Sequence, residues 1–375
     1  MPPPLHDFAR SFALAHDDTD LRAQLVKYLK SDELARPDES DLVNSTMDVI
    51  TWVVQQARSL YATEPERLVA AISLASTPNA LAIWSSSRRD WIVISVGLME
   101  LLRNSVDDLG RAFARTFPEI METTLMQRLQ SQPPLRGGFE TSLGSFLYFS
   151  AVAFFAGHEA GHHLAGHDAH YVDGAHAEQS GEANEAADER WLTKQALERD
   201  ADLLGLRLCR MAMTKLLSQL WEVEQYSAAE RRSYQRVLAA LLGTGAMTAA
   251  LRITPREVDW DELPSRDHPP AVIRVLTLAG SISRAIKEGF SDLDDTSRRW
   301  IRLMSMELVT GATINPGTEV DRIYQERLAR GGEPAAIRAT GIRKALHDSR
   351  LADYTTQLEA ALASIKPKLR PRTSG

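Results

Sequence analysis

Two histidines four residues apart, His158 and His162, with a glutamate directly after the first, are the residues whose types and spacing could do chemistry in this chain. On an α-helix that spacing sets both imidazoles on one face, close enough to share one metal ion. Glu159 then stands beside the pair, where a carboxylate can take a proton from a metal-activated water. A catalytic zinc needs a third protein ligand and an open position. Glu198 and Asp202, four apart on another helical stretch, share a face that can supply it. A variant pattern is open at this point. In the spacing HExxHxxGxxH, or its form ending in Asp, the last ligand would be Asp168, although Ala165 occupies the place of the turn glycine.

Positioning these groups falls first to the run 146–156, which carries no charge and reads as the buried early turns of the same helix. The histidines that follow, from His163 through His167 and His170 to His176, read as exposed rather than as a second metal site. The segment 178–189 is acidic and poor in large apolar residues, so it reads as a surface loop. Across 77–96, the runs Thr77–Trp84 and Trp91–Val96 flank the polar turn 85–90 and predict a β-hairpin. Residues 5–75 read as helical, in segments 20–30, 41–59 and 65–75, with Asp41 as the N-cap of the second. Residues 132–138 read as a connection. The uncharged run Val237–Leu251 contains Gly243 and Gly245 and is too short to span a bilayer, so a buried helix or helix pair is expected. Helices are predicted over 271–290 and 296–312 and as a pair over 335–365, ahead of a basic, proline-rich, disordered tail at 366–375.

Composition narrows the classes. Of 375 residues, 44% are hydrophobic and 25% charged, the balance of a soluble globular protein. A net charge of −7 offers no overall basic field for nucleic acid. The single cysteine, Cys209, rules out an internal disulfide framework and reads as a core thiol. No secretion signal or membrane span is apparent, so a cytoplasmic location is expected.

Taken together, the motifs resemble the gluzincin metallopeptidases of the HtpX-like and CAAX-prenyl-protease family. Four features occur in that family's order: Asn79-Ala80-Leu81-Ala82 before the hairpin, His158-Glu159-Ala160-Gly161-His162 with His167 five residues on, Glu198-Arg199-Asp200-Ala201-Asp202, and His268-Pro269-Pro270 with Arg274 following. Phage-exclusion peptidases of the Lit type share much of this outline. The resemblance implies one zinc ion per chain, bound by His158, His162 and Glu198, with Glu159 as general base and acid. It implies that Asp202 orients a ligand histidine, and that His268 or Arg274 faces the cleft and stabilises the oxyanion. It further implies that Asn79, Ala80, Leu81 and Ala82 form the sheet edge on which an extended peptide pairs.

The expected architecture is α+β and predominantly helical. An N-terminal helical region (1–65) precedes a zincin core with a small β-sheet (66–290), a C-terminal helical region (291–365) and the tail (366–375). The expected function is zinc-dependent endopeptidase action on a soluble protein or peptide, in the manner of a regulated stress or phage-defence protease. The alternative is a non-catalytic zincin scaffold that binds or senses a partner.

Overall fold

The computed structural model describes residues 6–61, 64–131, 138–170, 175–177, 191–221, 227–253, 260–261, 263, 268–289, 293, 295, 301, 305 and 349–369. Three helices lead the chain: α1 (His6–His16), α2 (Thr19–Leu29) and α3 (Asp41–Arg58). The cap of α3 is Ser40 rather than Asp41. Its backbone is extended and its hydroxyl accepts the Val43 N–H at 3.1 Å. Asp41 falls instead in the first turn, where a carboxylate complements the helix dipole.

The sheet has four strands in the order β1-β3-β2-β4: β1 (Leu68–Ser73), β2 (Ala80–Trp84), β3 (Asp90–Ser95) and β4 (Ala175–Ala177). β1 runs parallel to β3, and β2 pairs antiparallel with both β3 and β4. The predicted hairpin is present. The predicted helix over 65–75 is not: a single 3₁₀ turn, Pro65–Arg67, leads into β1. The reason is burial on both faces. Leu68, Ala70 and Ile72 enter one hydrophobic core, with Ile92 and Ile94 of β3, while Val69 and Ala71 enter another, with Leu21, Leu25 and Leu29 of α2. A parallel strand covered on both sides reads as one apolar run, which periodicity does not distinguish from a buried helix segment.

β2 also departs from expectation. It lies inside the sheet, with Leu81, Ala82 and Ile83 paired to Ala177, His176 and Ala175 of β4, so Asn79–Ala82 is not the sheet edge. The edge strand on that side is β4, with β1 at the opposite edge. β4 comes from the stretch after the HExxH helix, whose polar composition reads as solvated rather than as strand.

Beyond the sheet come α4 (Val96–Thr116), α5 (Pro118–Met121), α6 (Thr124–Ser131) and α7 (Ser142–Ala165). Thr141 caps α7 by accepting the Gly144 N–H at 2.9 Å, and every residue of the helix is buried. A helix apolar all round belongs in the centre of a fold. α7 has α3, α4, the sheet, α8 (Trp191–Trp221) and α9 (Ala228–Ile253) packed around it. α9 contains the uncharged 237–251 run, largely buried as expected. Val43, Ile50 and Val53 of α3 share one core with Phe154 of α7 and Val237 of α9, so the N-terminal helices pack as part of the same body.

α10 (Ala271–Gly289) matches its prediction, and α11 (Ser349–Ile365) covers the second half of the 335–365 pair. The first half of that pair, most of 296–312, the 178–189 loop and most of the 132–138 connection lie outside the described residues. Residues 366–369 are ordered, contrary to the expected tail. A 3₁₀ turn at Lys366–Lys368 delivers Leu369 into a small cluster with Leu197 of α8 and Ile365. Residues 370–375 lie outside the described set. Among the described residues, no helix is long and apolar enough to cross a membrane.

One packing choice has a pH consequence. Asp48 on α3 is half-buried, and desolvation pushes its carboxyl up from 3.8 to about 6. Between those values the folded chain keeps a proton that the unfolded chain has lost, so stability falls as pH rises through that window. Asp48→Asn is therefore expected to raise the thermal midpoint by a few degrees at about pH 7.5 and leave it nearly unchanged at about pH 3.5. Thermal unfolding at both pH values checks this, and an equal shift at both would contradict it.

Candidate metal centre

The centre is assembled where α7 crosses α8, and small residues make the crossing close. A Cβ on Gly157 would lie 2.7 Å from the Gly205 carbonyl oxygen. One on Gly161 would lie 2.9 Å from the Ala201 carbonyl oxygen, and one on Gly205 would lie 2.7 Å from the His158 nitrogen. Each helix thus presents two small residues four apart, Gly157 and Gly161 against Ala201 and Gly205, and the backbones touch. This contact brings the turn bearing His158 and His162 against the turn bearing Glu198 and Asp202.

Three donor groups converge there, all fully buried: His158, His162 and Glu198. The two Nε2 atoms are 3.1 Å apart. Glu198 Oε2 lies 3.3 Å from His158 Nε2, and Oε1 lies 3.5 Å from His162 Nε2. Tetrahedral zinc, with bonds of about 2.0–2.2 Å, needs its donors about 3.2–3.5 Å from one another. The two separations to Glu198, 3.3 and 3.5 Å, fall in that range, and the 3.1 Å between the two Nε2 atoms falls just below it. Among the described residues these three form the only cluster close enough to hold a metal ion, and Asp168 is not part of it.

The donor set has the right chemistry as well as the right spacing. The Asp202 carboxylate accepts from His158 Nδ1 at 2.9 Å and from Arg274, with Nε at 3.1 Å from Oδ2 and a terminal nitrogen at 2.6 Å from Oδ1. A carboxylate paired this way only accepts, so the His158 proton sits on Nδ1 and Nε2 presents its lone pair to the centre. His162 is held through Nδ1 by His167 Nδ1 at 2.9 Å, and His167 Nε2 lies 3.3 Å from Asp200 Oδ2. Lone pairs from two imidazoles and a carboxylate crowd together inside a buried volume, an arrangement that a cation stabilises.

The arrangement assigns the remaining candidates. Glu159 is fully buried on α7, directly after His158. His268 is 8% exposed and places Nε2 3.4 Å from Glu198 Oε2, beside the ligand set. Arg274 does not face a cleft as an oxyanion donor. It is buried against Asp202, because a guanidinium in the interior requires a carboxylate partner and Asp202 is within its reach. The expectation that the histidines after His162 are exposed is also corrected. His163 is fully buried with Nε2 3.0 Å from the Trp91 carbonyl oxygen, and His167 is fully buried between His162 and Asp200. The side chain of His176 lies outside the described residues. Cys209 is the expected core thiol: it donates to the Ser150 carbonyl oxygen at 3.3 Å, and burial pushes it up to about 12.

Sequence reasoning gave no role to Asp200, the middle residue of Glu198–Asp202, or to the glycine and alanine pairs at the crossing. The pairs carry a readable signal, a small residue every fourth position on two helices, while the pairing of His167 with Asp200 depends on the turn after α7. Compared with protein-family models, with curated proteins and with solved structures, the chain matches none.

Proposed function

We propose that this protein is a zinc-dependent endopeptidase with a gluzincin-type centre, in which His158, His162 and Glu198 hold the ion. The observation that carries the reading is the spacing of the three donors, 3.1 to 3.5 Å between facing atoms in a fully buried site. When bound, zinc supplies a Lewis acid that polarises the scissile carbonyl and lowers the pKa of the attacking water. Glu159 takes the proton from that water on a carboxylate oxygen and passes it to the leaving amine. Asp202 holds the His158 proton on Nδ1, so that Nε2 stays a ligand. His268, beside Glu198, takes the oxyanion role that Arg274 does not fill. An extended substrate pairs its backbone along β4, the sheet edge beside β2, which makes a soluble, locally unfolded protein segment the expected substrate class.

Metal content of the purified protein, beside Glu198→Ala and His162→Ala, tests the centre. About one zinc per chain is expected in the wild type and far less in both variants. Zinc retained by Glu198→Ala would reject the ligand set. Cleavage of an unfolded protein substrate, with and without a chelator, tests the activity: hydrolysis that stops on chelation and returns with zinc is the expected result.

One observation favours a second reading. His158, His162, Glu198 and Glu159 are all fully buried. That suits a protein that uses a zincin scaffold to bind or sense a partner without turnover. A zinc-loaded protein that cleaves nothing across a panel of unfolded substrates and cell extracts would favour this reading over the protease.

A further inference from the structure

We infer that His167 and Asp200 form a relay that positions His162 as a metal ligand, doing for that histidine what Asp202 does directly for His158; the inference rests on the zinc reading proposed above. The relay begins where α7 ends. Gly166 adopts φ +73°, in the left-handed region that glycine enters without strain, and stops the helix. The chain then turns into a short 3₁₀ segment, His167–His170, which brings the His167 ring back under the last helical turn. That ring meets His162 nearly edge to face, with centroids 5.0 Å apart and planes at 75°.

Proton positions follow in order from the ligand outward. His162 Nε2 faces His158 Nε2 and Glu198 Oε1, so as a ligand it carries a lone pair. The His162 proton therefore sits on Nδ1 and is donated to His167 Nδ1, 2.9 Å away. A neutral imidazole that accepts at Nδ1 carries its own proton at Nε2. In His167 that atom faces the Asp200 carboxylate at 3.3 Å. Each donor has one acceptor along the chain, and Asp200 selects the His167 tautomer that is able to accept from His162. Without Asp200, the two tautomers of His167 compete, and one of them opposes a donor to a donor.

The intervening ring has a geometric reason. A helix advances about 100° per residue, so Asp200 lies about 200° around α8 from Glu198, away from the ligand face. Asp202, one turn from Glu198, reaches its histidine directly, whereas Asp200 does so through His167. Glu198, Asp200 and Asp202 thus serve the centre from one short stretch of helix, as one ligand and two orienting carboxylates. His167 is fully buried and both ring nitrogens are engaged, while the Asp200 side chain is 16% exposed at the outer end.

Zinc affinity separates this role from simple space filling. His167→Asn places an amide oxygen near the position of Nδ1 and keeps the acceptor, while His167→Leu keeps bulk and removes it. Affinities are read by competition with a chromophoric chelator, and ligand geometry by the visible spectrum of the cobalt-substituted protein. His167→Leu is expected to bind zinc about 10- to 100-fold more weakly than wild type and to alter the cobalt spectrum. His167→Asn is expected to stay within about threefold with a wild-type spectrum, and Asp200→Ala to lose affinity in the same direction as Leu. Unfolding of each metal-free variant checks that the fold is intact. Should His167→Leu fail to fold, the partly exposed Asp200→Ala decides by its own affinity. Wild-type affinity in His167→Leu or in Asp200→Ala, or equal losses in Asn and Leu, overturns the relay and leaves the zinc reading standing. A wild type that binds no zinc overturns both.

Discussion

Glu159→Gln is expected to keep a full complement of zinc and to lose about 10²- to 10⁴-fold in kcat. The amide has the size of the carboxylate and sits on the same fully buried turn of α7, so the helix crossing and the ligand atoms stay in place. What it removes is the single capacity that the proposed mechanism gives Glu159, accepting a proton from the attacking water and returning it to the leaving amine. That capacity acts in the transition state rather than in substrate binding, so kcat should fall with little change in KM. Steady-state kinetics on one peptide, with metal content measured on the same samples, makes the comparison. A zinc-loaded Gln variant that cleaves at close to the wild-type rate would remove Glu159 from the mechanism, whatever the metal does.

Asp202→Ala should produce the largest loss of stability, because one carboxylate answers two buried groups. It accepts from His158 Nδ1 at 2.9 Å and pairs through both oxygens with Arg274, which is almost entirely buried. Deleting it leaves a guanidinium charge in the interior with no carboxylate in its place, an error that costs about 3–5 kcal/mol. It also frees the His158 ring to change tautomer or rotate, which should weaken zinc about 10- to 100-fold. The two effects separate in a double variant, Asp202→Leu with Arg274→Met. Replacing both charges with apolar groups should recover most of the stability. It should not recover zinc affinity, since the Asp202 carboxylate no longer accepts from His158. Denaturant unfolding of the metal-free proteins and zinc competition give the two readouts. Recovery of both together would reduce Asp202 to an ion-pair partner with no part in holding the ligand.

These outcomes trace back to features of unequal legibility. His158, Glu159 and His162 were readable because an i, i+4 relation on a helix is local: the backbone alone brings the two rings together. Glu198 and Asp202 were readable in the same way, as one face of a second helix. The 77–96 hairpin was readable because its strands are separated by a short polar turn. β1 was misread as helix because burial on both faces erased its alternation. β4 was missed because three residues in a polar stretch carry no pattern of their own, and with it the sheet edge moved off Asn79–Ala82. Leu369 docks on Leu197 and Ile365 from a segment whose charge and prolines read as tail.

The sequence by itself determined the chemistry available: two imidazoles and a carboxylate on one helix, and an acidic face on another. It also determined where α7 stops, since Gly166 takes the left-handed conformation that ends it. Only the tertiary structure decided how those groups are used. Backbone contact at Gly157, Gly161, Ala201 and Gly205 sets the two helices at the distance that makes three donors converge. The same packing turns Arg274 inward to Asp202, leaves His268 beside Glu198, and folds His167 between His162 and Asp200. Residue spacing along one helix is fixed by its 3.6-residue turn, but partners 33 to 72 positions apart are chosen by which surfaces bury together.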